Sequence, residues 1–86
     1  MVSRELIIKS ATGLHARPAT LLVKKSSSFK SEVSIEFHGK KANVKSLIGV
    51  LSLGVTKGAS IKVIVSGDDE TLALEEICKL LETMED

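Results

Sequence analysis

The sequence is short of several residue types, and each shortage excludes a class of protein. Cys78 is the single cysteine, so no disulfide can form within the chain, and a reducing, cytoplasmic compartment is the expectation that fits. Tryptophan and tyrosine are absent and phenylalanine occurs twice, which leaves few rings to stack on nucleic-acid bases. No apolar run approaches about 18 residues, so we expect no membrane-spanning helix. The first residues lack a basic region followed by a long apolar run, so we expect no signal peptide.

The sequence also lacks an excess of charge of either sign. The 12 basic and 11 acidic residues give a formal charge of +1, which provides no general attraction to a nucleic-acid backbone or an anionic membrane. The sequence shows no glycine-rich nucleotide loop and no cluster of metal ligands, so we expect neither a cofactor nor a metal. A chain of 86 residues can bury one small core, and we predict a single domain over residues 1–86.

Hydrophobic periodicity predicts four strands and three helices. Alternating residues predict strands over 2–8, 32–37, 40–44 and 60–66, and His38-Gly39 is the expected turn of a hairpin between the second and third. Helical spacing runs from Ala16 to about Ser27, and it recurs after Ser46 and after Gly67-Asp68-Asp69, which should break the strand and supply the N-cap of the last helix. The order β-α-β-β-α-β-α, with one polar face on the strands, predicts an open-faced α+β sandwich: a four-stranded antiparallel sheet with three helices on one face.

The strongest candidates for a functional site lie in the segment Gly13-Leu14-His15-Ala16-Arg17-Pro18-Ala19. Proline is tolerated in a first helical turn, so a helix should begin near Ala16. The backbone N–H groups of Ala16 and Arg17 would then point toward the His15 ring, where the helix dipole also favours an anion. Arg17 could add a forked pair of hydrogen bonds to a phosphate. A histidine at a helix start is also often a capping or surface residue, so spacing alone leaves both interpretations open.

This heptad resembles the active-site motif of the HPr family, the histidine-containing phosphocarriers of the bacterial phosphoenolpyruvate:sugar phosphotransferase system. The resemblance covers essentially the whole chain and implies the HPr fold. It implies that His15 accepts a phosphoryl group from phospho-enzyme I and passes it to the IIA components of sugar permeases. It also implies that Arg17 orients and neutralises the phosphate and that Pro18 is the helix-start proline. A protein of this kind is a substrate of phosphotransfer and not an enzyme, and we expect a monomer.

Imidazole chemistry agrees with that role. A neutral imidazole is a nucleophile near neutral pH, and it can hold a phosphoryl group on one nitrogen as a labile phosphoramidate. The other histidine, His38, lies in the expected hairpin turn without a helix start or an arginine beside it. We therefore interpret His38 as a solvated turn residue. Cys78 and Met84 fit the apolar pattern of the last helix and are expected in the core.

Ser46 has two compatible interpretations. A serine before Leu47-Ile48-Gly49 is a good helix N-cap, which contributes about 1 kcal/mol. The segment from Lys45 to Gly54 also resembles the regulatory-serine segment of HPr from low-GC Gram-positive bacteria. That resemblance implies phosphorylation by an ATP-dependent HPr kinase/phosphorylase and action as corepressor with a catabolite-control repressor. Ile48 and Leu51 stand where methionines are common in that subfamily, which leaves the fit to the kinase or repressor open.

An exposed apolar patch is expected beside the candidate histidine. Leu21 lies off the core stripe of the first helix, and the second helix is too short to bury all of Leu47, Ile48 and Leu51. Such patches usually mark partner surfaces. We predict docking of enzyme I and IIA components here, with Thr20 and Lys24 at the rim.

The alternative function is a small α+β regulatory module whose His15–Arg17 pair binds phosphate groups or nucleic acid without being phosphorylated.

Overall fold

The computed structural model describes residues 1–11 and 13–84, so Thr12 and the last two residues of the predicted domain lie outside it. The strands are β1 (Val2–Ile7), β2 (Glu32–Phe37), β3 (Lys40–Asn43) and β4 (Ser60–Ser66), and the helices are α1 (Ala16–Ser27), α2 (Leu47–Ser52) and α3 (Glu70–Thr83). All strand pairs are antiparallel, in the order β1-β4-β2-β3. The predicted open-faced α+β sandwich is therefore confirmed.

Alternation along the strands separates an apolar face of the sheet from a polar one. On the inner face Leu6 pairs with Ile61 and Ile35 pairs with Val63, and all four side chains are buried. On the outer face Lys62 lies between Glu5 of β1 and Glu36 of β2. Ile7, which interrupts the alternation in the sequence, is exposed opposite Ser60. The first and third strands end one residue earlier than predicted, at Ile7 and Asn43.

The helices cover the inner face and close one hydrophobic core. Helix α3 packs against β1 and β4, and α1 packs against both α2 and α3. Ala19 and Leu22 bring α1 into the core, and Ile77 and Leu81 do so for α3. Val23, Phe29 and Leu80 are only partly buried at its edge.

Cys78 and Met84 lie in this core, as expected. Burial raises the pKa of the Cys78 thiol, because the charged thiolate is disfavoured away from water. The thiol is therefore held in its neutral form and packs as a small apolar side chain.

The start of α3 differs from the sequence-based expectation. Asp69 occupies the N-cap position, but its side chain makes no capping hydrogen bond. Its carboxylate instead accepts the backbone N–H groups of Lys30, at 3.0 Å, and Ser31, at 2.9 Å. The side chain therefore joins the α1–β2 turn to the start of α3. A contact between residues so far apart in the chain gives no local signal.

Candidate functional site

His15 is the N-cap residue of α1, with an extended backbone (φ −85°, ψ −169°). Its carbonyl accepts the N–H of Ala19 at 2.9 Å, which starts the helical hydrogen-bond pattern. The side chain makes no capping hydrogen bond and is exposed. The imidazole is thus presented to solvent at the helix start, and His15 caps α1 through its backbone and not through its side chain.

The first turn of α1 provides a local preference for anions. Ala16 and Arg17 are exposed, whereas Pro18 is buried and has no N–H to donate. First-turn N–H groups point toward the N-terminal end of a helix, where the helix dipole is positive. The first turn contains no acidic residue that would oppose an anion there. His15, Arg17 and the first-turn amides therefore share one end of α1.

The two residues before His15 lie beside the segment that follows α2. Leu14 is buried, and its N–H donates to the carbonyl of Val55 at 3.0 Å. Gly13 is buried beside the same segment, and its N–H donates to the carbonyl of Ser10 at 3.0 Å. Sequence reasoning missed the part played by Val55. No periodicity or motif connects positions about 40 residues apart.

Ser46 is the N-cap of α2, as the sequence predicts. Its backbone is extended (φ −110°, ψ 113°), and its Oγ accepts the N–H of Gly49 at 3.2 Å. Its carbonyl accepts the N–H of Val50 at 3.1 Å. Ser46 is nevertheless an exposed residue. It therefore acts as a helix cap at a position that a modifying protein can approach.

Four exposed apolar side chains lie on the neighbouring helices α1 and α2, and we refer to them as the apolar patch. Ile48 is 81% exposed, and the others are between 37% and 43% exposed: Leu21, Leu47 and Leu51. Their predicted exposure is confirmed. The predicted rim residues Thr20 and Lys24 are exposed too, and the Thr20 hydroxyl donates to the Ala16 carbonyl at 2.6 Å. The sequence-based account missed Leu72, an exposed leucine on α3.

His38 lies outside the helices, in the turn between β2 and β3. It has a positive φ of 51°, and its ring stacks on Phe37 with the centroids 4.0 Å apart. These features fit the interpretation of His38 as a turn residue. Across residues 1–11 and 13–84, no group of three or more His, Cys, Asp or Glu side chains could hold a metal ion. None of the helices described is long and apolar enough to cross a membrane.

This open-faced fold, with an exposed histidine and an arginine at one helix start, is the architecture of a phosphocarrier domain. Residues 2–83 match the family model described as the PTS HPr component phosphorylation site. The HPr-C-His protein of Thermoanaerobacter tengcongensis is 43% identical and superposes with a TM-score of 0.94, over 96% of this chain and 93% of that one.

Two further solved structures also resemble this chain in sequence and fold. HPr of Bacillus anthracis is 34% identical with a TM-score of 0.90, over 93% of this chain and 95% of that one. Crh, the catabolite-repression protein of Bacillus subtilis, is 38% identical with a TM-score of 0.79, over 100% and 99%, and that structure is a dimer with a swapped domain. The chain belongs to the HPr family of phosphocarrier proteins of the phosphotransferase system.

Proposed function

We propose that this HPr-family chain is one domain over residues 1–86 that accepts a phosphoryl group on His15 from phospho-enzyme I and passes it to IIA components in the cytoplasm. The observation that carries the proposal is the exposed His15 ring at the start of α1, with no capping hydrogen bond from its side chain. A capping role would occupy the ring, whereas an acceptor must be accessible to two different partner proteins.

Transfer to His15 follows from this arrangement. A ring nitrogen of neutral His15 attacks the phosphorus, a new P–N bond forms, and the bond to enzyme I breaks with its electron pair kept by enzyme I. The transferred group carries negative charge, which the positive end of α1 and the amides of Ala16 and Arg17 stabilise. The planar guanidinium of Arg17 orients the phosphate oxygens. Transfer to a IIA component reverses these steps with a different acceptor.

The test is to incubate the chain with phosphoenolpyruvate and enzyme I and to measure its intact mass. We expect the addition of one phosphoryl group that is lost in acid. His15→Ala should abolish the addition, and the matched control His38→Ala should retain it. Labelling that persists in His15→Ala would contradict the proposal. An unlabelled parent that still binds phosphate groups or nucleic acid would instead support the alternative of a non-phosphorylated binding module.

Arg17→Lys tests the geometry of phosphate binding. Lysine keeps the charge but lacks the planar fork of donors, so transfer should slow even though the net charge is unchanged. Steady-state kinetics with enzyme I measure this effect. Equal rates for parent and variant would show that charge alone is sufficient at this position.

We further propose that Ser46 is a regulatory phosphorylation site for an HPr kinase/phosphorylase, with a catabolite-control repressor as the partner of the modified form. The exposure of Ser46 and the similarity to Crh support this proposal. ATP plus the kinase should add one acid-stable phosphate to the parent and none to Ser46→Ala.

We also propose that the unmodified protein is a monomer. Sedimentation of the unmodified protein tests this, and a dimer like that of Crh is the competing outcome.

A further inference from the structure

The backbone of Gly13 lies close to a backbone segment that is remote in sequence, so there is no room for a side chain between them. A Cβ placed on Gly13 would lie 2.3 Å from the carbonyl oxygen of Val55 and 2.7 Å from the Cα of Thr56. Both distances are shorter than real Cβ contacts allow. The obstructing atoms belong to the backbone, so they cannot rotate out of the way as a side chain would. The loop before His15 can take this position only because residue 13 has no side chain.

The same carbonyl also holds the next residue. The Val55 oxygen accepts the N–H of Leu14 at 3.0 Å, and the Leu14 side chain is buried in the core. His15 follows directly and begins α1. A side chain at position 13 would push the loop away from Val55 and strain the Leu14 hydrogen bond. The displacement would reach His15, because it is the next residue along the chain.

We propose that Gly13 is a positioning residue for phosphoryl transfer. By allowing the loop to lie against Val55 and Thr56, Gly13 fixes the His15 ring relative to the first-turn amides and Arg17. Transfer requires the attacking nitrogen in line with the bond that breaks, and a misplacement of about 1 Å can cost roughly 100-fold in rate. This inference rests on the proposed function, in which His15 is the acceptor.

Gly58 offers a matched control in the same part of the fold. Gly13 has a φ of +68° and Gly58 a φ of +85°, so alanine is strained at both positions. A Cβ at Gly58, however, would meet nothing within 4 Å. The two substitutions therefore share the conformational cost, and only the one at position 13 adds the contact with Val55 and Thr56.

The experiment compares Gly13→Ala with Gly58→Ala as substrates of enzyme I, after circular dichroism has established that each is folded at the assay temperature. For Gly13→Ala we expect kcat to fall by roughly 10-fold to 100-fold with KM nearly unchanged, because the docking surface is intact. The His15 ring resonances should also shift in the nuclear magnetic resonance spectrum of folded Gly13→Ala. Gly58→Ala should resemble the parent in kcat, KM and His15 resonances.

A second variant separates the backbone strain of a positive φ from the contact of a Cβ with Val55 and Thr56. Asparagine adopts a positive φ more readily than alanine, but it still carries a Cβ. Gly13→Asn should therefore transfer as slowly as Gly13→Ala. Recovery toward the parental rate in Gly13→Asn, equal kinetics for Gly13→Ala and Gly58→Ala, or failure of Gly13→Ala to fold would each overturn the proposal. Two results would contradict the proposed function itself, and with it this inference. One is failure of enzyme I to phosphorylate the parent, and the other is phosphorylation that persists in His15→Ala.

Discussion

The carboxylate of Asp69 binds Ser31 twice: Oδ1 accepts the backbone N–H at 2.9 Å and also accepts the side-chain hydroxyl. The Ser31 hydroxyl is the main cause of a lowered pKa at Asp69, followed by the N–H of Lys30. These donors favour the charged carboxylate. The start of α3 and the start of β2 are therefore joined by an interaction that depends on the charge of one side chain.

We expect Asp69→Asn to lower the thermal midpoint at pH 7, because an amide presents a donor where a carboxylate oxygen accepts. The folded pKa is lowered, so the stabilisation is fully present above the ordinary value of 3.8 and is lost as the pH falls through the lower folded value. The difference from the parent should therefore shrink in acid. Melting curves from neutral to acid pH check this. Asp68→Asn, a change at the exposed neighbour, is the control, and an equal loss there would contradict the account.

Ser26 lies on the buried face of α1, and its Oγ has no hydrogen-bond partner among the described residues. Burying an unpaired hydroxyl is unfavourable, and alanine is the better helix former. Ser26→Ala should therefore raise the free energy of unfolding by about 1 kcal/mol. Urea denaturation measures the change. The exposed Ser27, whose hydroxyl donates to the Val23 carbonyl at 2.9 Å, is the control, and Ser27→Ala should have a small effect. A loss of stability in Ser26→Ala would disprove this expectation.

Removing the cap of α2 should destabilise the protein without stopping phosphotransfer. Ser46→Ala removes the acceptor of the Gly49 N–H, so the free energy of unfolding should fall by about 1 kcal/mol while His15 still accepts phosphate. Ser52→Ala is a matched control, because its hydroxyl donates to the Gly49 carbonyl within the same helix and is not an N-cap. Ser46→Ala and Ser52→Ala with the same stability would mean that the cap contributes nothing.

A negative charge at Ser46 should stabilise α2 and weaken docking. The N-terminal end of a helix favours an anion, so Ser46→Asp should have a thermal midpoint equal to or above that of the parent. The same charge lies beside Leu47 and Ile48 of the apolar patch, where it would oppose an acidic partner surface. Binding to enzyme I should therefore weaken. Unfolding and affinity are measured on the same samples, and a melted α2 or unchanged affinity would contradict the electrostatic explanation.

The apolar patch should be needed for docking and not for folding. Leu47→Glu places a charge in the patch at a side chain that is already 37% exposed, so stability should change little. Apolar anchors at interfaces contribute about 1–2 kcal/mol, so KM with enzyme I should rise roughly 10-fold. Leu72→Glu, on α3, is the matched control because Leu72 is also exposed. Equal kinetics for Leu47→Glu and the parent would exclude Leu47 from the interface.

The sequence by itself determined the features that depend on neighbouring residues. The bounds of α1, from Ala16 to Ser27, follow from apolar spacing, the position of Pro18 and the serines at the end. The Ser46 cap follows from one hydroxyl and the N–H of the residue three positions later. The exposure of the apolar patch was also predictable, because Leu21 lies off the core stripe of α1 and a six-residue α2 cannot turn every side chain inward.

Only the tertiary structure decided which distant segments meet. The Asp69 carboxylate serves the turn at Ser31 instead of capping α3, and the loop at Gly13 lies against Val55 and Thr56. Neither contact belongs to a helical or strand period, because its partners are about 40 residues apart and meet only when β4 inserts between β1 and β2. Hydrophobic periodicity depends only on residues close together in the sequence, so it cannot predict contacts between distant segments. The placement of His15 also depends on a backbone carbonyl, which every residue possesses and no sequence pattern can reveal.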